Sequence, residues 1–395
     1  MSVDSLAKAS EILPDIISLR RKIHANPELG NQLPDTKAAV IDALSDCDLD
    51  IRYSKETTGL VVTLNGVNPG PRIMLRADMD ALPMPEDNDL EFASKNHGKM
   101  HACGHDAHAA MLVGAVKILY EQRRKLSGSV DFFFQTGEEG HYGAKVAIDE
   151  GLFDAPNQPD AVFAIHITPL LDIGKVVSKA GPMLAAADTW QIEVMGKGGH
   201  ASMPHDCLDP VPVACEIVQA LQGFVTRRIN PFDPVVLTTT MIEAGTTSNV
   251  IPESARLTGT LRSTSEKSRS IAHEGIERIA RKIAEAYEME VNHSSSYGYP
   301  VTINDEKFTR FAKNTAIGLL GEEGYIESKS PMMGAEDFSY FLQRWPGAMF
   351  FLGVKPDDAS LAVPCHSNRM ILNEQGMAHG SALYAEIAIN FLKGA

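Results

Sequence analysis

The sequence predicts an α/β fold: a mixed-sheet domain with helices on both faces, interrupted by an inserted α+β sandwich. Between Leu60 and Ile167, apolar strand-like runs alternate with a helical pattern, the order that lays helices over a sheet. From about Leu184 the texture changes to β-α-β-β-α with one further short strand, enough for a small sandwich. Beyond a Gly/Tyr/Pro-rich joint at 297–300 the α/β texture returns. Residues 1–183 and 298–395 are therefore expected to build one domain, and 184–297 the insert. A chain of 395 residues is too long for one ordinary core, which agrees with a division in two.

Each element rests on a local pattern. Ile12, Ile16, Leu19 and Ile23 recur at helical spacing, and Asn26-Pro27 ends that helix. Residues 60–64 and 72–77 read as strands parted by the turn-rich 65–71. An apolar helix over 109–120 follows His105, and strands are expected at 130–135 and 161–167. In the insert the expected order is strand 189–194, helix 209–221, strands 235–242 and 255–261, helix 268–287 and strand 289–294. Ile271, Ile276, Ile279 and Ile283 mark the apolar side of the long helix. A helix over 307–320 and a strand over 348–353 return the chain to the first domain's texture.

Composition excludes several classes. A net charge of −15 argues against nucleic acid, whose phosphates attract basic surfaces. Apolar residues at 44% and charged ones at 22% are ordinary for a globular protein. Five cysteines, at 47, 103, 207, 215 and 365, are odd in number and scattered, as suits free thiols in a reducing compartment. Residues 1–11 are polar, without the apolar core of a signal peptide. No uninterrupted apolar run approaches the roughly 20 residues that span a bilayer. A cytoplasmic protein, away from membranes, is the expectation.

The chemistry concentrates in Met100-His101-Ala102-Cys103-Gly104-His105-Asp106-Ala107-His108, which packs a thiol, three imidazoles and a carboxylate into nine residues. A second polar knot, Glu138-Glu139, follows the apolar strand. Like charges repel and buried polar atoms lose hydration, so such groups cost free energy to hold together unless something binds them, and a divalent metal pair is the simplest candidate. Cys103 and His105 stand just before a helix, where backbone direction is fixed, and thiolate and imidazole are common ligands of zinc, manganese or nickel. His166 and His366 also follow apolar stretches, so that Cys103, His105, Glu139, His166 and His366 supply five donors of suitable type. Adjacent acids can divide labour between ligating a metal and facing the substrate water; which acid does which stays open at this point. Gly137 and Gly140 around them suggest close backbone packing. His101, His108 and His141 remain spare. Asp78 and Asp80 close a strand, where a carboxylate can fix the tautomer of a ligating histidine or simply cap a turn. In the insert, the glycine-rich loop 196–205 holds His200 and His205 but lacks the Gly-Lys-Ser/Thr ending of a phosphate loop. Asn249 lies between two apolar stretches, and Arg262, at a strand end, could clamp a carboxylate or serve as a surface ion-pair partner.

Taken together, these motifs resemble the aminoacylase-type dinuclear metallopeptidases, in the branch of hippurate hydrolases, N-acetyl-diaminopimelate deacetylases and indole-acetyl-amino-acid hydrolases. The matching segments run nearly end to end: His24-Ala25-Asn26-Pro27-Glu28-Leu29, 76–84, 100–111, 135–140, 196–205, 248–252, Gly334-Ala335-Glu336-Asp337-Phe338 and His366-Ser367. The resemblance implies Cys103, His105, Glu139, His166 and His366 as ligands of two divalent ions, manganese or zinc, with cobalt or nickel as further options. It implies Glu138 as general base, His200 as donor to the oxyanion, and Asn249 and Arg262 as substrate-binding residues; Asp78, from the strand-end reading above, is expected to support the ligands. In many relatives the oxyanion donor comes from a partner subunit, so a homodimer through the insert is expected. The implied activity is hydrolysis of the amide bond of small N-acyl amino acids. Rival readings are a dipeptidase or carboxypeptidase on the same scaffold, or a catalytically silent metal-dependent binding protein; retention of Glu138 beside all five donors argues against the last. Two loops depart from the family pattern. Thr136-Gly137 precedes the acid pair where Pro-Ala is usual, and Cys365-His366-Ser367-Asn368 stands where a second His and a Pro are common.

Overall fold

The computed structural model describes residues 4–394. The chain divides into two compact units: one takes the chain up to Gly181 with Ile303–Lys329 and everything from Tyr340 onward, the other Pro182–Thr302 with Ser330–Ser339.

The first unit is built on an eight-stranded mixed sheet. Its order is Asp50–Tyr53, Leu60–Asn65, Ser127–Gln135, Asn68–Asp78, Ala161–Thr168, Gly347–Gly353, Val176–Ser178, Tyr325–Glu327. The centre is parallel, from Ser127–Gln135 through Gly347–Gly353, and antiparallel strands flank it. The strand expected at 72–77 begins earlier, at Asn68, with its register broken between Asn68 and Arg72. Pro69 and Pro71 lie in that break and have no N–H to give to a ladder, so the sequence reads as a turn where the backbone is in fact extended.

One face of the sheet buries Ile73, Leu75, Phe132, Phe134, Phe163, Ile165, Phe350 and Leu352 in the main core with the helices Leu13–His24, His105–Gln122 and Gly376–Leu392. On the other face Phe133 packs edge-on against Phe153 and Phe341. The Gly376–Leu392 helix is apolar nearly all round, as a fully buried helix must be. Among the described residues, five α-helices escape the sequence patterns: Gly143–Asp149, Ser339–Arg344, the apolar Gly376–Leu392 and two short ones near the start of the chain. Ser5–Glu11 is capped by Asp4, whose carboxylate accepts from Leu6 and Ala7 N–H. Pro34–Ala43 is capped from a distance by Glu28, which accepts from Thr36 N–H at 2.8 Å.

The parallel ladder between Asn68–Asp78 and Ala161–Thr168 stops at Arg76 and Ala164, although both strands continue. Side chains fill the split. Ile165 N–H donates to Tyr384 Oη (2.8 Å), which itself donates to the Arg76 carbonyl (2.6 Å), and Ile167 N–H donates to His108 Nε2 (2.9 Å). Buried backbone groups must be satisfied, so this substitution is what allows the strands to part at their carboxyl ends. Such splits are where α/β sheets hold ligands.

The second unit is a four-stranded antiparallel sheet, in the order Val235–Ala244, Ser254–Ser263, Ala186–Met195, Glu290–Tyr297. The helices Pro210–Arg228 and Glu266–Ala286 bury Ile217, Leu221, Ala272 and Ile276 against Trp190, Ile192, Leu257 and Leu261. Strict in–out alternation along Ala186–Met195 sets its register. Below the strand ends lies a buried ion cluster. Asp188 accepts from Arg269 Nε (2.9 Å) and Nη2 (2.6 Å), from His273 Nε2 (2.8 Å) and from Gly298 N–H (2.9 Å). Burial pushes the Asp188 carboxyl up, but the Arg269 and His273 hydrogen bonds outweigh it and bring it to about 2. Because the folded value is depressed, this carboxylate contributes its stability above the unfolded value of about 4 and loses it as pH falls towards about 2. Thermal unfolding of the unit followed by circular dichroism should therefore weaken across that interval. Asp188→Asn should cost about 3–5 kcal/mol at neutral pH, because it leaves Arg269 buried without its counter-charge; a variant that melts like the wild type would refute this.

Among the described residues, no helix is long and apolar enough to cross a membrane.

Candidate functional site

Three loops and the end of the strand Ala161–Thr168, at the carboxyl end of the first unit's sheet, bring the chemistry together. Gly104 caps the helix His105–Gln122 with φ +80°, and a Cβ there would lie 2.6 Å from Ile167 Cγ1, so only glycine lets the Cys103 turn sit against the strand. His105 opens the helix, Glu138 and Glu139 follow the strand Ser127–Gln135, and His166 lies within Ala161–Thr168. His366 comes from the loop after Gly347–Gly353. It adopts φ +68°, uncommon for a residue with a side chain, and its N–H is tied to the Ala102 carbonyl at 2.8 Å. Gly137 does pack closely: a Cβ would stand 2.0 Å from Asn31 Oδ1. Gly140 has open space but φ +81°, so its requirement is conformational.

The donor atoms form overlapping groups whose members lie within 4.8 Å of one another: Cys103 with His105 and His166, Cys103 with Glu139 and His366, and His105 with Glu138 and Glu139. Cys103 belongs to the first two. Its sulfur is 3.4 Å from His166 Nε2, and His366 Nε2 is 3.2 Å from Glu139 Oε1. His166 Nδ1 donates to the Ile167 carbonyl at 2.6 Å, which fixes the tautomer and leaves the Nε2 lone pair facing Cys103. Burial, helped by His108, holds His166 far below its usual pKa, so it is a neutral imidazole.

The supporting residues are less visible in sequence. Asp78 accepts from Arg76 Nη1 (2.7 Å) and His108 Nδ1 (2.5 Å), with His105 Nε2 3.5 Å away. His108 is thus part of the scaffold, whereas His141 is exposed. Asp80 accepts from the backbone N–H of both Glu138 (2.9 Å) and Glu139 (3.0 Å), and lies 3.4 Å from His105 Nδ1. Behind the helix start, Asp106 accepts from Arg20 Nε and His24 Nδ1, both at 2.8 Å, which gives the His24 motif a structural purpose.

Whether this pocket suits cations can be judged from its own atoms. Both ring nitrogens of buried His105 and Glu139 Oε1 lack a hydrogen bond of good geometry, despite the nearby carboxylates. Burial should lower the His105 pKa, yet Asp78, Asp80 and Glu139 outweigh it and lift it to about 10. Positive charge is what the surrounding carboxylates demand, and thiolate, imidazole and carboxylate are donors for a divalent transition ion. The residues fit such ions.

In the second unit, His200 and Val250 pair across the short ladder Gly199–His200 with Val250–Ile251, and Ala201 N–H donates to the Asn249 carbonyl at 3.0 Å. His200 and Asn249 are exposed neighbours; His200 Nδ1 accepts from Ser202 N–H at 3.1 Å. Arg262 is half-buried on Ser254–Ser263, facing Ala187 and Val236 in the ladder.

Known proteins resemble this chain in sequence and fold. The model of peptidase family M20/M25/M40 matches residues 74–390. The IAA-amino acid hydrolase ILR1-like 4 of Arabidopsis thaliana is 37% identical over 392 residues, covering 98% of this chain and 88% of that protein. Thermostable carboxypeptidase 2 of Saccharolobus solfataricus is 38% identical, with 96% of each chain covered. The crystal structure of Bacillus subtilis YxeP, a dinuclear metal-binding peptidase of the M20 family, superposes with a TM-score of 0.84 at 30% identity, over 98% of this chain and all of that one. The chain belongs to peptidase family M20/M25/M40, and it is an enzyme that hydrolyses amide bonds.

Proposed function

We propose that the enzyme is a metal-dependent amidohydrolase that cleaves N-acyl amino acids, such as N-acetyl or N-benzoyl compounds, to a carboxylic acid and a free amino acid. The observation that carries this is the pair of donor groups sharing Cys103, with Glu138 at the same place. Cys103, His105, Glu139, His166 and His366 would hold two divalent ions, manganese or zinc, with cobalt or nickel able to replace them. Such ions supply a water of lowered pKa and polarise the substrate carbonyl. Glu138, its backbone fixed by Asp80, takes the proton of the attacking water and returns it to the leaving amine. His200 is assigned to the developing oxyanion, and Asn249 and Arg262 to the substrate, with Arg262 as partner of its carboxylate. The N-acyl reading is supported by the plant relative, an IAA-amino acid hydrolase. The archaeal carboxypeptidase relative keeps the peptidase reading as its rival.

The test is amine release from a panel of N-acetyl, N-benzoyl and longer N-acyl amino acids and free dipeptides, each run with and without chelator. Cleavage of one acyl class, lost with chelator and restored by manganese or zinc, is expected. Cleavage of dipeptides alone would transfer the enzyme to the peptidase reading.

We also assign the protein to the cytoplasm, on its five free thiols, and to a homodimer through the second unit. The edge strand Val235–Ala244 exposes Val236, Met241 and Ile242, a surface that invites a partner. Light scattering at the mass of one chain would overturn the dimer.

A further inference from the structure

Cys365 stands out among residues the reaction does not use. It precedes His366 in the loop that departs from the family pattern, and it is half-buried where Cys103 is buried. Its sulfur lies 3.9 Å from the Cys103 carbonyl oxygen. The hydrogen bond from His366 N–H to the Ala102 carbonyl, 2.8 Å long, locks the two chain segments side by side at this point. A disulfide needs Cα atoms roughly 4.4–6.8 Å apart and sulfurs that can close to about 2.05 Å. The backbone hydrogen bond between the neighbours of the two cysteines, and the 3.9 Å approach of the Cys365 sulfur to the Cys103 backbone, place the two side chains on adjacent, tethered segments suited to that demand.

We propose that Cys103 and Cys365 form a reversible disulfide when the enzyme, stripped of metal, meets a peroxide. The half-buried Cys365 sulfur attacks the peroxide: an S–O bond forms, the O–O bond breaks, and one water leaves with the thiol proton. The Cys103 sulfur then attacks that sulfenic sulfur; the S–S bond forms, the S–O bond breaks, and a second water carries away the remaining oxygen and the Cys103 proton. Two thiols are oxidised and one peroxide is reduced. The link would store Cys103 in a recoverable form and spare it the irreversible sulfinic state. The cross-link rests on geometry alone; its consequence, loss of metal binding and turnover, rests on the ligand role proposed above for Cys103.

The experiment treats chelator-stripped full-length protein with hydrogen peroxide and maps its peptides without reduction. The expected product joins the Cys103 and Cys365 peptides, while Cys47, Cys207 and Cys215 stay alkylatable and dithiothreitol restores both thiols. Metal loading should slow the link about tenfold or more, because coordination withdraws the attacking sulfur. In Cys365→Ser, peroxide should push Cys103 to a state that dithiothreitol no longer reverses. Recovery of Cys103 as sulfinic acid in the wild type, with Cys365 still free, would overturn the proposal, and that map decides even if the variant misfolds. Metal content is measured separately on reduced and oxidised protein. A disulfide that forms but leaves metal content and turnover intact would sink the ligand role of Cys103 and leave the cross-link standing.

Discussion

Glu138→Gln should bind metal as the wild type does and lose about 10³-fold in turnover, within the range of a removed general base. The substitution is nearly isosteric. It keeps the backbone hydrogen bond from residue 138 to Asp80 and takes away only the capacity to accept a proton at neutral pH. Because the missing interaction belongs to the transition state, kcat and kcat/KM should fall together while KM holds. Metal content by mass spectrometry is the companion measurement, since Glu138 also lies within 4.8 Å of His105 and Glu139 donor atoms. Loss of metal along with activity would make Glu138 a ligand, and full activity would remove it from the chemistry altogether.

Chemistry-bearing residue types are legible in this sequence because they are dense. A thiol and three imidazoles within nine residues, and two adjacent acids after an apolar strand, have few uses in an ordinary core. The central strands are legible because their centres are mostly apolar, as parallel strands covered on both faces must be, whereas the short Asp50–Tyr53, Val176–Ser178 and Tyr325–Glu327 carry too few residues to show a pattern. What stays hidden depends on contacts across long separations. His108 supports a strand 59 residues away through Ile167 N–H, and Tyr384 bridges two strands from the last helix. No local pattern distinguishes such a tyrosine from one that merely fills the core. The short helices Ser5–Glu11 and Pro34–Ala43 fail for a different reason: they owe their ends to Asp4 and the distant Glu28, while the first is too short to set a period and the apolar residues of the second run almost consecutively.

Asp80 is visible in the sequence but its partners are not, and Asp80→Ala should weaken metal affinity about 10–100-fold and lower turnover with it. Its two oxygens each hold one backbone N–H of the acid pair, 58 and 59 residues away in the chain, so a single buried carboxylate sets the direction of both glutamates. Alanine leaves those two donors without their acceptor, at a stability cost of about 1–3 kcal/mol each. Asn is the informative control. It can still accept through one oxygen but presents N–H to the other donor, so one glutamate should stay anchored while its neighbour is released. Competition against a chromophoric chelator reports affinity, and thermal unfolding reports the stability cost separately. If Asp80→Ala bound metal and turned over as the wild type does, the acid pair would have to be positioned by the turn 136–140 itself. The positive φ values of Gly137 and Gly140 would then be sufficient to aim it. If affinity falls while the fold survives, the site is organised from the strand Asn68–Asp78 outward: Asp78 holds His108, Asp80 holds the glutamates, and both carboxylates lie within about 3.5 Å of His105.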